Sequence, residues 1–186
     1  MALEESLIDR TAQLLDRARY LNMATVRDGA PWVATLQYAW FADPLHFVFG
    51  SSADSRHGAD IRSEPRVSGS LFVAEGAEGA DFAAVDGAQF TGRCSEIGPE
   101  QLGTYYAPFY QAMFPDAEQR AQWRLRPELL RAPAPHRLYR IDVERWWLID
   151  TRRWAEDRID RRVELPLDAV TQAALSARAR PHAVSP

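Results

Sequence analysis

The sequence predicts a mainly β (α+β) fold, a β-barrel of about six to eight short antiparallel strands with peripheral helices. Three observations lead there. Short runs rich in β-branched and aromatic residues recur through residues 20–97 and again through 138–150. The punctuation between them is Asp-Gly, Gly-rich or Pro-containing, which suits hairpins rather than long crossovers. Helical periodicity is confined to the two ends and one central stretch, so strands and helices do not alternate as a doubly wound sheet requires.

Residues 3–19 read as a helix, with Leu3, Leu7, Leu14, Leu15 and Ala18 on one face and charged residues elsewhere. Residues 20–26 and 32–40 flank Asp28-Gly29 and form a predicted hairpin. Asp43-Pro44 leads into a strand at 45–49, where a strand start needs no ladder donor. Residues 51–54 are a polar cluster with Asp54 as the expected N-cap of a short helix at 55–62, which Pro65 stops. Residues 67–73 are the next strand, followed by a turn at 76–79. Two further strands are expected at 82–85 and 89–97, divided by a second Asp-Gly at Asp86-Gly87. From Pro99 the period approaches four, and Leu102, Tyr105, Tyr106, Phe109, Tyr110 and Met113 predict a broad apolar helix face. A second helical stretch is expected over 117–129, then a Pro-rich connector at 132–135. The last strands are expected at 138–143 and 146–150, and a helix at 167–179 with fraying beyond it.

At 186 residues and 21.0 kDa, with 46% hydrophobic and 26% charged residues, the chain has the composition of one globular domain. The expected organisation is a single domain over 1–186, with a helical insertion at 99–129 and a C-terminal helix and tail at 167–186. The longest strictly apolar run is 38–42, far short of the roughly 20 residues a membrane helix needs. The acidic N-terminus lacks the apolar core of a signal peptide, and Cys94 is the only cysteine, so a reducing cytoplasmic location is expected. A net charge of −4 argues against nucleic-acid binding through the overall field. All 22 Lys+Arg residues are arginine, which excludes Schiff-base and lysine-base chemistry.

The sequence contains no dinucleotide fingerprint, P-loop, zincin or nucleophile-elbow motif. His46, His57, His136 and His182 are scattered without metal spacing, so no metal site is expected. Cys94 falls in a strand pattern and reads as a buried thiol. The informative segment is 51–61, where a strand runs into a Ser/Asp cluster that opens a helix carrying Arg56 in its first turn. Hydroxyl donors, first-turn N–H groups and a guanidinium together suit an anion. A plain capped helix with a solvated arginine is the alternative. The six tryptophans mostly fall in or beside predicted strands, where they fill a core or an interface, with one or two able to stack on a planar ring.

The order of these features resembles the pyridoxamine 5′-phosphate oxidase-like family of FMN-binding split β-barrels. It runs Tyr20-Leu21 before Ala24-Thr25-Val26, then Asp28-Gly29 and Pro31, then Asp43-Pro44, Ser51, Ser55-Arg56-His57 before Ile61, and Pro65-Arg66-Val67. The resemblance covers 7–97, and more loosely 147–158. It implies a homodimer with FMN in clefts between the subunits. By position it implies that Ser55 and Arg56 grip the FMN phosphate, with Ser51 and Ser52 as further donors and His57 where the oxidase has a second basic residue. It also implies that Trp32, Val33, Ala34, Thr35 and Gln37 lie along the ring edge, and that Gln89, Trp147 and Arg158 contact the flavin.

Departures from the oxidase are equally specific. Its Arg-Leu-His unit is replaced by Arg152-Arg153-Trp154, and its second strand's basic residues by Trp32 and Gln37. No oxidation of pyridoxamine phosphate is therefore expected. The expected function is an FMN-dependent oxidoreductase acting on a small molecule with a donor such as NAD(P)H, with no residue singled out as catalytic. The alternatives are a deazaflavin, a heme with His136 or His182 as axial ligand, or a flavin-binding protein without turnover.

Overall fold

Asp28 and Gly29 both adopt positive φ, 53° and 76°, the turn geometry that lets two right-twisted strands return on each other. The computed structural model describes residues 2–74, 85–150 and 154–179. The Asp-Gly turn joins β1 (Tyr20–Arg27) to β2 (Ala30–Gln37) in register from Tyr20↔Gln37 to Arg27↔Ala30. The remaining strands are β3 (Ala39–Phe41), β4 (His46–Ser52), β5 (Arg66–Ala74), β6 (Val85–Glu96), β7 (His136–Asp150) and β8 (Arg161–Leu165). The helices are α1 (Ala2–Arg17), α2 (Arg56–Ser63), α3 (Leu102–Met113), α4 (Ala117–Trp123), α5 (Trp154–Asp157) and α6 (Leu167–Ala179).

All pairings are antiparallel, in the order β2-β1-β5-β6-β7-β4-β3, with β8 added to the end of β7. β2 and β3 are consecutive in the chain, separated only by Tyr38, yet they lie at opposite ends of that order. The sheet must therefore curl until its two edges meet at Tyr38, which makes a split β-barrel. The predicted single strand over 32–40 is thus two strands on two sheet edges. Tyr38 is buried at the corner, its hydroxyl donating to the Ala18 carbonyl at 3.2 Å and its ring edge-on to Phe47.

Alternation along the strands builds two cores. Leu21, Met23, Phe47, Phe49, Phe90, Tyr139, Ile141 and Trp146 fill the barrel with Leu14 and Leu15 of α1. Val48 and Leu138 point the other way and meet Leu102, Phe109 and Tyr110 of α3 and Leu130, so the helical insertion covers the outside of β4 and β7. α1 and α6 pack through Ala12, Ala173 and Ala177.

Several local expectations are revised. Pro44 lies in the turn before β4 and not at its start. Asp86-Gly87 is not a turn, because Gly87 pairs with Phe72 inside β6 and the Asp86 carboxylate is held by Arg10 at 2.7 Å. The two last strands are one, β7, with the register shift opposite Thr91 and Gly92 leaving Glu144 as a bulge residue. Helix α4 ends at Trp123, and a 3-10 turn at Pro127–Leu130 completes the insertion. β8 and α5 were not anticipated. The expected turn at 76–79, strand residues 82–84, Arg152, Arg153 and His182 lie outside the described residues.

Candidate functional site

The polar segment after β4 opens α2, but the cap is Ser55 rather than Asp54. The Ser55 hydroxyl accepts from the Gly58 N–H at 3.1 Å, the geometry of a helix N-cap. The Ser52 hydroxyl accepts from the Asp54 N–H at 3.2 Å, which leaves its proton available to donate outward. Ser51 and His57 Nε2 share a hydrogen bond of 2.8 Å, its direction set by the imidazole tautomer. Burial holds the His57 pKa below its ordinary value, and nearby Asp60 partly opposes that shift. Gly58 is needed here: a Cβ would meet the Tyr139 hydroxyl at 2.9 Å and the Ala53 carbonyl and Ser55 Oγ at 3.0 Å.

Arg56 leaves the first turn of α2 and lies over Trp32 of β2, 4.7 Å from the ring centroid. Beneath it is Asp60, fully buried. One carboxylate oxygen accepts from Thr25 Oγ1 at 2.8 Å and lies 4.0 Å from Arg56 Nε, and the other lies 3.4 Å from Arg27 Nε. Two guanidiniums thus share one buried carboxylate beneath this helix.

Two grooves adjoin along β2. One, of about 630 Å³, has Tyr20, Thr35, Gln37, Ser51, Ser52, His136 and Arg137 on its sheet side and the α3–α4 segment on the other. Arg137 is committed to Glu96 at 2.7 Å. The second groove, of about 750 Å³, lies on the outer sheet face, lined by Val33, Asn22, Ser68, Ser70, Gln89, Thr91, Trp147 and Arg162. Gln89 and Trp147 are direct cross-strand neighbours, and Arg162 Nε donates to Gln89 Oε1 at 3.1 Å.

Of the residues singled out from sequence, Thr35, Gln37, Ser51 and Ser52 share the first groove, and His57 joins it through Ser51. Val33, Gln89 and Trp147 share the second. Trp32 and Ala34 point away from the outer face, and Trp32 meets Arg56 instead. Arg158 is exposed at a positive φ of 59° and lines neither groove. Arg162, one strand further on, stands beside Gln89 and Trp147. Finding it needed the register of β8 on β7, which its Arg-rich, turn-flanked sequence does not announce. Arg27 and Asp60 were also missed, because their partnership spans a strand and a helix.

Among the described residues, nothing covers the outer face of β1, β2 and β5 in the single chain. Tyr20, Val33 and Phe72 are 54%, 58% and 58% exposed there. Among the described residues, no helix is long and apolar enough to cross a membrane.

The curled antiparallel sheet with peripheral helices defines a split β-barrel protein. The family model described as pyridoxamine 5′-phosphate oxidase matches residues 7–150, and the chain belongs to that family. No curated protein matches the sequence. Among solved structures, a heme binding protein from Mycobacterium smegmatis aligns with a TM-score of 0.61 at 13% identity, over 89% of this chain and 60% of that one. This chain therefore spans less than two thirds of that protein. General Stress Protein 26 from Bacillus anthracis aligns at 0.54 and 18% identity, over 89% of this chain and 100% of the other. An FAD-binding protein from Mesorhizobium loti aligns at 0.54 and 21% identity, over 73% and 88%. At these identities the likeness is one of fold.

Proposed function

We propose that this chain is an FMN-dependent oxidoreductase that works as a homodimer on a small molecule, with a donor such as NAD(P)H. The observation that carries the reading is the grouping of Ser51 and Ser52 with Thr35 and Gln37 in a groove of about 630 Å³, with His57 bonded to Ser51 and Arg56 in the first turn of the helix that follows. Hydroxyl donors, a forked cation and first-turn N–H groups are a donor set suited to a phosphate monoester. Ser51, Ser52, Ser55 and Arg56 would hold that phosphate, with His57 oriented by Ser51. Thr35 and Gln37 would border the ring. Gln89, Trp147 and Arg162 would complete the site, supplied across the uncovered outer face by a second copy. When bound, FMN supplies reversible one- and two-electron transfer, and the chain's part is to anchor, orient and shield it.

Absorption spectra of the purified protein, followed by anaerobic NAD(P)H addition, test this. Flavin bands that bleach with the nucleotide and recover with an acceptor support the reading. Flavin bands that no donor bleaches would leave a binding protein without turnover. A Soret band without flavin would move the reading to heme, with His136 in the first groove as the ligand to substitute.

A further inference from the structure

The groove beside Ser51 and Ser52 is two-sided in its chemistry. Its sheet side carries hydroxyls and an amide. Its other side is built by the insertion, with Met113, Phe114, Trp123 and Leu125 facing the space. That side is fixed in place. Tyr106 donates its hydroxyl proton to the Leu125 carbonyl at 2.8 Å, and the Leu125 N–H donates to the Tyr110 hydroxyl at 3.2 Å. Arg120 ties the turn between the helices by donating to the Phe114 and Pro115 carbonyls at 2.6 and 2.9 Å. The rings form an array: Tyr106 edge-on to Tyr110 at 5.2 Å, and Tyr110 stacked with Phe114 at 6.5 Å. Trp123 lines the same groove, 62% exposed, on a helix that buries none of its own residues.

Charge decides what such a wall accepts. Among the described residues, no acidic side chain lines the groove. Its one guanidinium, Arg137, is bound to Glu96 and to the Ala134 and His136 carbonyls. An anionic group brought against Phe114 and Trp123 would lose water, and the groove's described lining residues offer no uncommitted guanidinium in return. A flat, uncharged molecule would lose little and would extend the ring array. The volume of about 630 Å³ is in the range of small-molecule sites.

We propose that the α3–α4 side of this groove is a subsite for an uncharged aromatic molecule, with Trp123 as its principal contact. The proposal deepens the flavin reading of the same groove and rests on it for its place beside the cofactor.

The test is calorimetric titration of 2-naphthol into the full-length protein without added FMN, in phosphate buffer to occupy the anion site proposed at Ser51 and Ser52, with naphthalene-2-sulfonate as the charged counterpart. The wild type should bind 2-naphthol at least about tenfold more tightly than the sulfonate. Trp123→Ala should weaken 2-naphthol by about tenfold, and Trp123→Phe should restore most of it. Equal affinity for both probes, or no change in Trp123→Ala, overturns the proposal. So does 2-naphthol binding that appears only on dilution below the dimer concentration, which would assign the wall to a second copy of the chain. Because FMN is titrated separately, a protein that binds 2-naphthol but no FMN keeps the subsite and loses the cofactor reading.

Discussion

The Arg56 guanidinium lies 4.7 Å above the Trp32 ring, so the helix that opens at Ser55 is tied to β2 by a cation–π contact. Its Nε is also 4.0 Å from the buried Asp60 carboxylate, which fixes the direction in which the remaining N–H groups point. A guanidinium held on its inner side by an acid and a ring is pre-oriented for an anion on its outer side.

Arg56→Ala should weaken FMN binding by roughly ten- to a hundredfold, the effect of losing a charge-assisted pair. Riboflavin, without the phosphate, should lose much less. The fold should persist, since the side chain is 43% exposed. Parallel titrations of both ligands decide this, and equal losses for both would remove Arg56 from the phosphate site.

Asp60→Ala should cost about 2 kcal/mol, because it strands the Thr25 hydroxyl in the interior and separates two arginines from their shared counter-charge. The arginines' exposure keeps the cost below that of a fully buried pair. Urea unfolding checks it. Asp60→Asn should fall between the two, retaining an acceptor for Thr25.

Gly92→Ala should destabilise by roughly 3 kcal/mol. A Cβ there would lie 2.2 Å from the Asp142 carbonyl oxygen, a backbone atom that cannot swing aside at the bulge. Gly103→Ala is the counter-example: it meets nothing within 4 Å and sits in α3, so it should stabilise by about 0.5–1 kcal/mol. Denaturation midpoints of the two variants should move in opposite directions.

Acid should weaken the fold through two histidines. Burial depresses the pKa of both His46 and His57 below the ordinary 6.5. For His46, Arg140 and Arg178 act the same way, opposed by the Pro44 carbonyl and Asp142. The unfolded chain then binds more protons than the folded one below the ordinary value, so stability is complete above about pH 6.5 and declines as pH falls from there toward the folded pKa values. Urea midpoints between about pH 5 and 8 should show this slope, and the His46→Gln, His57→Asn double variant should flatten it.

The uncovered face of β1, β2 and β5 should be a subunit interface. Sedimentation should give a dimer, and Phe72→Asp, which places a charge at a position 58% exposed in the single chain, should shift it toward monomer. A wild-type monomer at micromolar concentration would contradict the shared-site reading.

Two identical dipeptides show how far local sequence carries. Asp28-Gly29 forms the turn that its composition predicts, since nothing but the hairpin claims it. Asp86-Gly87 has the same composition and lies mid-strand, because Arg10 of a distant helix holds its carboxylate and β5 offers it a ladder. The C-terminal helix was legible to its ends, Leu167–Ala179. At the candidate site, the contact between Ser51 and His57 is a local one, six positions apart in the chain. The places of Arg162 and Asp60 were not legible, since each depends on partners distant in sequence on neighbouring elements.

The single residue between β2 and β3 gives the barrel wall a seam unlike the others. Every other neighbouring pair in the wall is joined sideways by ladder bonds, which can loosen and re-form one at a time. At Tyr38 the two margins are joined end to end by the chain itself. The wall can breathe along its ladders, but its margins stay strapped within one residue's reach. Anything seated against β2 beside that strap is held on the part of the wall least able to drift.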